Sequence, residues 1–348
     1  MWLDQEELQR KSEQLKEQKI KQIKDNIKCC LKVLELPEEI ENIVISYSFN
    51  ESKIETNYSL SEKVNKYYYE KEDYLISELD VSCVTSMNRL FYEFYNFNQS
   101  LDKWDTSNVV DMNSMFYNCK KFNQPVNFDT KNVTDMEDMF CCCIKFNQPV
   151  NFNTKNVTDM SEMFYNCEIF DQLVKIDTTN VTNMCRMFVY CEEFNQPINF
   201  NTKNVTNMCG MFYNCYKFNQ AVNFDTSNVI NMECMFYGCK KFNQPVDFDT
   251  KNVTDMNNMF NCCKNFNQPV DFDTQNVTNM DHMFYDCYNF NQPVNFDTKN
   301  VRCMYSMFYE CRKFNQPVNF DTLYVINMNN MFNNCNSLEE KNKLLIMH

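Results

Sequence analysis

Glycine and histidine are scarce in this 348-residue chain, which contains two of each. Phosphate-binding loops, dinucleotide fingerprints and nucleophile elbows need several glycines at fixed spacing, because their backbone approaches a ligand closely or adopts positive φ. Gly210 and Gly238 are too far apart for any of these motifs. His282 and His348 leave little material for a histidine-based triad or zinc site. We therefore expect no enzyme, with no catalytic, cofactor-binding or metal-binding residues.

Long apolar runs and excess positive charge are also missing. No stretch approaches the roughly 18 apolar residues of a membrane-spanning helix, and no apolar signal-peptide core follows Met1. The formal net charge is −14, which disfavours binding to nucleic-acid phosphates. These absences predict a cytoplasmic protein that neither crosses a membrane nor binds nucleic acid.

A tandem repeat dominates what is present. The unit reads F-N-Q-P-V-N-F-D-T-K-N-V-T-D-M-x-x-M-F-Y-N-C-x-x, and its copies follow one another at steps of 24 residues after a first step of 25. Units of this length cannot fold alone, so neighbouring coils must supply the core. A partial copy containing Val84, Met87, Leu90 and Phe91 precedes the ten full copies. These open at Phe97, Phe122, Phe146, Phe170, Phe194, Phe218, Phe242, Phe266, Phe290 and Phe314.

Each unit contains two apolar patterns. In its first half Val126 and Phe128 alternate with Asn127 and Asp129, which predicts a short strand. Its second half has apolar residues on one helical face, which predicts a short helix. In the copy that opens at Phe122 these are Val133, Met136, Met139, Phe140 and Cys143. The predicted fold is an α/β repeat solenoid of leucine-rich-repeat-like coils, each with one short strand plus one short helix.

The repeat also carries a family resemblance. The first copy, with the run Trp104-Asp105-Thr106-Ser107-Asn108-Val109, resembles the bacterial surface-protein repeat of about 26 residues. That repeat is grouped with BspA-like leucine-rich repeats and occurs in mycoplasma and listeria surface proteins, with relatives in giant DNA viruses and some protists. The resemblance implies a solenoid with a binding or surface role and supplies no catalytic residues. For a giant-virus member it implies the host cytoplasm as location.

Ten of the twenty cysteines occupy one repeat position. A zinc site is disfavoured because no C-x-x-C spacing occurs, and disulfides between stacked coils are geometrically possible. Without a signal peptide, the preferred interpretation is a row of buried free thiols. We call this row the cysteine ladder: Cys119, Cys143, Cys167, Cys191, Cys215, Cys239, Cys263, Cys287, Cys311 and Cys335.

Two further polar rows invite a site interpretation. Six N-V-T triplets, such as Asn132-Val133-Thr134, are formal glycosylation sequons, and we interpret them as helix-capping chemistry, with Thr130 or Asn132 as the cap. Asp135 is expected in the first helical turn. A row of aspartates follows the predicted strand, and turn-forming bonds to the backbone are preferred over calcium binding because glycine is scarce. This row is Asp105, Asp129, Asp177, Asp225, Asp249, Asp273, Asp297 and Asp321.

Outward residues of the predicted strand are the candidate binding face. Curved solenoids bind partners through such rows. The row, called here the strand row, comprises Asn127, Asn151, Lys175, Asn199, Asn223, Asp247, Asp271, Asn295 and Asn319. A tyrosine row is either partly exposed for binding or packed between coils. It comprises Tyr117, Tyr165, Tyr213, Tyr237, Tyr285 and Tyr309.

The flanks of the array differ in composition. We predict an N-terminal helix over residues 1–35, a helical cap over 36–80, the array over 81–337 and a C-terminal cap over 338–348. The segment 36–47 resembles the opening of an F-box, which docks on the linker protein of a ubiquitin ligase. The resemblance implies docking through Leu36, Pro37, Ile40 and Val44.

The leading functional hypothesis is a non-enzymatic scaffold that binds a protein partner through the solenoid face. Two alternatives remain: an F-box-type substrate adaptor of a ubiquitin ligase, and a surface or adhesion protein. The sequence does not identify the partner.

Overall fold

The computed structural model describes residues 57–70 and 76–342. The chain divides into two units, Met1–Ile54 and Glu55–His348, and all described residues belong to the second. The predicted helix over residues 1–35 and the F-box-like segment 36–47 lie outside the described residues.

Helix α1 (Asn57–Glu70) lies within the predicted helical cap, and short 3₁₀ helices follow at Ile76–Glu78 and Glu340–Asn342. Leu60 and Val64 of α1 are fully buried. Asn57 Oδ1 accepts hydrogen bonds from the amides of Thr85, at 3.0 Å, and Ser86, at 3.3 Å. Within the part of the chain that the structure describes, no coil precedes the partial coil, so some of its backbone amides have no partner within the array. Helix α1 supplies an acceptor for two of these amides.

The predicted helix in each repeat does not form, because the amides of this segment bond in two alternating directions. Met115 N–H donates to Met112 O at 3.2 Å and closes a turn within its coil. Ser114 N–H instead donates to Glu137 O in the next coil, at 2.8 Å. A helix would require each of these amides to bond four residues back. The segment is therefore a series of tight turns tied to the neighbouring coil.

The predicted strand does not pair with its neighbours as a continuous β-ladder, although the predicted alternation of buried and exposed side chains is confirmed. Val126 and Phe128 are buried while Asn127 and Asp129 are exposed. Parallel pairing runs instead through the row of Asp135, at the predicted start of the helix, and links successive coils from Ser86 to Asn327 by single bridges. Val150↔Val174 is the bridge found in the predicted strand region of the described residues. Stacking of successive coils is thus the organising feature of the array.

The core consists of stacked side-chain rows. Phe140 lies 5.8 Å from Phe164 in the next coil and 4.3 Å from Phe146 in its own, with near-parallel rings. Both phenylalanine rows continue along the array, and Met136 and Met139 are fully buried beside them. Since aromatic and thioether side chains pack favourably at these distances, the core is continuous from coil to coil.

Left-handed backbone occurs twice in every coil. Among the described residues, twenty that are not glycine have φ between 52° and 64°, including Asp138 (57°) and Cys142 (59°). Gly210 and Gly238 occupy the same two rows, with φ of 56° and 70°. Non-glycine residues therefore adopt positive φ in most coils, although glycine is scarce.

Polar side chains bind backbone across coils. Thr130 is buried and its hydroxyl donates to Asn153 O of the next coil at 3.0 Å. Asn132 Nδ2 donates to Ser107 O of the preceding coil at 2.7 Å, so this residue caps a neighbouring coil and not a helix. Asp135 Oδ1 accepts the amide of Glu137 at 2.9 Å and closes a turn, in place of the predicted helix-dipole role.

The predicted turn role of the aspartate row is confirmed. Asp177 Oδ1 accepts the amide of Thr179 at 2.9 Å, and Asp225 Oδ1 accepts that of Ser227 at 3.1 Å. These bonds stabilise the carboxylate, and the side-chain and backbone bonds from Thr179 lower the pKa of Asp177.

The cysteine ladder is buried and unbridged, as predicted. Nine of its members are fully buried and Cys335 is 8% exposed. Each thiol points to the preceding coil: Cys143 Sγ donates to Phe116 O at 3.0 Å. Burial raises the pKa of these thiols far above the ordinary range, so they are held protonated.

Candidate functional site

The surface with the most varied chemistry lies over the turns. In each coil it contains the two residues between the paired methionines and the two between the phenylalanine and the ladder cysteine. In the coil that opens at Phe122 these are Glu137, Asp138, Cys141 and Cys142. We call the whole surface the turn face. Its residues alternate with fully buried Met139 and Phe140. Most of them are partly exposed, while a few, such as Cys141 and Asn261, are buried.

Residue types on the turn face change from coil to coil while the core does not. The row of Asp138 contains Ser114, Glu162 and Arg186 in neighbouring coils. The strand row, in contrast, is asparagine in six of its nine members. The two residues after each ladder cysteine vary as well, for example Lys120-Lys121 against Glu192-Glu193, so the variable surface of the array extends from the turn face onto these positions.

A depression of about 560 Å³ lies on the turn face near the C-terminal end of the array. Tyrosines, asparagines and His282 line it. Tyr285 and Tyr309 stack at 4.8 Å, and the rings of His282 and Tyr305 meet edge to face at 5.0 Å. Partial burial lowers the pKa of His282, which favours the neutral imidazole. Neutral aromatic groups therefore dominate this depression.

A second depression, of about 310 Å³, lies nearer the middle of the array. Arg186, Tyr190 and Tyr213 line it together with Cys209 and Glu233. Cys209 Sγ lies 3.9 Å from Glu233 Oε2. This depression combines charged groups with aromatic surface.

A third feature is a mixed acid and thiol cluster. One ligand atom each of Asp138, Cys141 and Glu162 lies within 4.8 Å of the other two. Cys141 is 2% exposed, and Asp138 Oδ1 is buried without a hydrogen-bond partner. Burial and the nearby Glu162 carboxylate raise the pKa of Asp138 to about 6. Two carboxylates and a thiol are therefore held together at the surface of neighbouring coils.

Cys142 lies beside this cluster. The thiol of Cys141 points at Cys142 Sγ, 3.8 Å away. This hydrogen bond raises the pKa of Cys141 and lowers the pKa of Cys142 to about 7. The sequence run Cys141 to Cys143 thus divides into a buried thiol, Cys141, a partly exposed thiol, Cys142, that interacts with it, and one member of the cysteine ladder, Cys143.

All nine residues of the strand row are exposed, as the alternation predicts. Their use in binding stays a prediction. The tyrosine row is partly buried, and several members stack between coils, as Tyr213 and Tyr237 do at 4.3 Å. Both interpretations of the tyrosines, partial exposure and packing between coils, therefore apply. One face of the ring packs on a neighbour while an edge stays accessible.

Sequence reasoning missed the turn face as a surface. The signal was present, because the residues within M-x-x-M and F-x-x-C vary, as do the two after the cysteine, while the core residues repeat. Assigning this segment to a helix concealed which variable residues would lie together. The F-box docking residues Leu36, Pro37, Ile40 and Val44 lie outside the described residues.

Comparison with known proteins gives one family. The family model described as "Mycoplasma protein of unknown function, DUF285" matches residues 57–175, 169–248 and 246–344. The match confirms a repeat family; it begins after the F-box-like segment and does not bear on the BspA-like naming. No curated protein matches the chain significantly.

One similar solved structure is the Toll–Spatzle complex of Drosophila. The alignment has 12% sequence identity and a TM-score of 0.31, and it covers 71% of this chain. The chain spans about a third of the length of that protein, 35%. A similarity this low establishes neither a shared fold nor a shared function.

Within residues 57–70 and 76–342, no helix has the length and apolar character needed to cross a membrane.

Proposed function

This chain belongs to the DUF285 family of mycoplasma proteins of unknown function, and we propose that its array is a non-enzymatic scaffold that binds a protein partner through the turn face. The supporting observation is the chemical variety of the turn face, and of the two positions that follow it in each coil, above a core that repeats almost unchanged. A scaffold of this kind fixes its side chains through the packed rows beneath them. Little conformational entropy is then lost when a partner binds.

Aromatic residues on the turn face suit this role. Tyrosine and other large aromatic side chains dominate the binding energy of many protein interfaces. Tyr285 and Tyr309 are stacked and partly exposed at the 560 Å³ depression, so they are ordered before a partner arrives. We assign them as anchors of the interface.

Charge on the turn face points to the partner's chemistry. Counting the partial coil, the face carries eight carboxylates and two arginines. Three of the carboxylates form ion pairs, Glu162 with Arg186, Asp286 with Lys264 and Glu310 with Arg312. The carboxylates are Glu93, Glu137, Asp138, Glu162, Glu233, Asp281, Asp286 and Glu310. An acidic face with aromatic anchors fits a protein surface that presents lysine or arginine beside apolar groups. No described residue favours the ubiquitin-ligase adaptor or the adhesion protein over this scaffold.

The test is chemical crosslinking and affinity purification from the natural source, with wild type and two double variants. Tyr285→Ala with Tyr309→Ala removes the anchors, and we expect it to lose the partner recovered by wild type. Asn295→Ala with Asn319→Ala alters the strand row over neighbouring coils, and we expect it to retain the partner. Purified partner should then bind wild type more weakly as salt is raised, because the charges are surface-exposed.

The opposite pattern would place the interface elsewhere. If the asparagine variant loses the partner while the tyrosine variant keeps it, the strand row is the binding face. Thermal melting of both variants shows that each is folded at the temperature of the experiment.

A further inference from the structure

The acid and thiol cluster has the composition of a metal site. Asp138 and Cys141 come from one coil and Glu162 from the next, and one ligand atom of each lies within 4.8 Å of the others. The Cys141 thiol is nearly inaccessible and Asp138 Oδ1 is buried without a hydrogen-bond donor. A buried carboxylate oxygen without a donor is destabilising unless a cation or proton satisfies it.

The cluster arises where the repeat departs from its own pattern. Among the ten full copies, the row of Asp138 contains an acid only at Asp138 and Glu162, in adjacent coils. The row of Cys141 contains a cysteine only here, where six other copies have tyrosine. Two of these departures lie in one coil and the third, Glu162, lies 24 residues from Asp138 in the sequence, yet all three meet in space. They also explain why the absence of C-x-x-C was uninformative: the ligands come from two stacked coils.

The distances suit a tetrahedral ion. Zinc–sulfur and zinc–oxygen bonds of about 2.3 and 2.1 Å place ligand atoms roughly 3.5 to 3.8 Å apart. The 3.8 Å between Cys141 Sγ and Cys142 Sγ is already in that range. The carboxylate oxygens, within 4.8 Å, need to move by about 1 Å. Arg186 contacts Glu162 Oε1 at 3.3 Å, and a monodentate ion needs only the other oxygen.

We propose that Asp138, Cys141 and Glu162 form a binding site for a zinc-type divalent cation. Cys142, whose Sγ lies 3.8 Å from that of Cys141 but outside the group of ligand atoms within 4.8 Å of one another, becomes the fourth ligand by a side-chain rotation. One thiolate pair and two carboxylates match the borderline-soft preference of zinc better than that of calcium or magnesium. Binding displaces the thiol protons of Cys141 and Cys142 into solvent, so affinity rises with pH. The ion would tie two adjacent coils together at the surface.

The test is titration of the reduced full chain with Co²⁺, followed by displacement with Zn²⁺. Thiolate bound to Co²⁺ gives a near-ultraviolet charge-transfer band, and tetrahedral Co²⁺ gives strong visible bands. We expect one equivalent of Co²⁺ to produce both, and Zn²⁺ to abolish them. Asp138→Asn and Cys141→Ser should each weaken binding by about tenfold or more, and Cys142→Ser should reduce the charge-transfer intensity per bound ion.

Cys262→Ser is the matched control. Cys262 occupies the row of Cys142 in a coil where Asn258 and Asn261 replace the acid and the thiol, so this variant should bind Co²⁺ as wild type does. The proposal is overturned if wild type shows no charge-transfer band, or if the band persists in Cys141→Ser. If Cys141→Ser fails to fold, Asp138→Asn tests the proposal instead. This variant should bind Co²⁺ more weakly than wild type, and Zn²⁺ should not raise its melting temperature as it raises that of wild type.

Discussion

At the scale of the residue, the two left-handed rows define what each coil tolerates. Left-handed backbone disfavours a side chain by roughly 1–2 kcal/mol, and only glycine is free of this. The array nonetheless places Arg186 and Cys234 beside Gly210 in the same row. Bonds to neighbouring coils hold these backbones in place. A non-glycine residue with left-handed backbone is therefore tolerated where the neighbouring atoms leave space for its side chain.

The two glycines are expected to differ on substitution. A Cβ at Gly210 would meet Arg186 Cγ at 3.4 Å, an ordinary contact, whereas at Gly238 it would lie 1.9 Å from Asn214 Oδ1. We predict that Gly210→Ala lowers the free energy of unfolding by about 1 kcal/mol through its backbone alone. Gly238→Ala should lower it further, because the Asn214 side chain must move. Urea unfolding followed by circular dichroism measures both.

A double-variant comparison isolates the contact at Gly238. In a background carrying Asn214→Ala, the effect of Gly238→Ala should fall to that of Gly210→Ala, since the clashing amide is absent. Equal effects in the two backgrounds would contradict the assignment of the extra destabilisation to Asn214.

At the scale of the coil, the buried threonine hydroxyls link each turn to the next. Thr178 is 1% exposed, and its Oγ1 donates to Asn201 O at 3.0 Å. Thr178→Val keeps the shape but leaves that carbonyl without this donor, so we predict a loss of about 1–2 kcal/mol in the free energy of unfolding. Thr182, whose exposed hydroxyl lies 3.3 Å from Thr158 O, is the control. Thr182→Val should change stability little, since Ile230 occupies the same row two coils later. Comparable losses in the two variants would contradict the role of burial.

The coil also shows what its sequence could and could not predict. Apolar spacing identified the buried faces: Val133, Met136 and Met139 are all fully buried. The same spacing fits a helix or a series of turns, because both return a side chain to one face after three or four residues. What separates them is whether an amide bonds within its own coil or to the next. Stacking decides that, and no single repeat contains the information.

The candidate sites illustrate the same limit. The strand row was predicted as exposed because alternation requires only local geometry. Asp138 and Glu162 meet Cys141 because coils stack in register, at a separation of 24 residues. Because the sequence analysis interpreted the M-x-x-M-F-x-x-C segment as a helix, it did not predict that the side chains of Asp138, Cys141 and Glu162 lie close together.

At the scale of the whole molecule, the thiols of the cysteine ladder together make the free energy of unfolding strongly dependent on pH. A thiol in the unfolded chain ionises near pH 8.5, whereas burial raises the pKa of the ladder thiols well above this. A raised folded-state pKa means that the stability contribution is complete below the unfolded pKa and is lost as pH rises above it. Each buried thiol then lowers the free energy of unfolding by about 1.4 kcal/mol per pH unit.

Because each ladder thiol is protonated in the folded chain and ionises in the unfolded chain, the proton counts of the ten thiols add, and we predict that the array unfolds abruptly in mild alkali. Urea midpoints measured with a reducing agent should change little between pH 6.5 and 7.5 and fall steeply between pH 8.5 and 9.5. Cys191→Ala with Cys215→Ala should make the fall shallower, because two fewer protons are released on unfolding. Cys83→Ala, at an exposed thiol, should leave the slope unchanged. A slope that the double variant does not alter would show that groups other than the ladder thiols control alkaline stability.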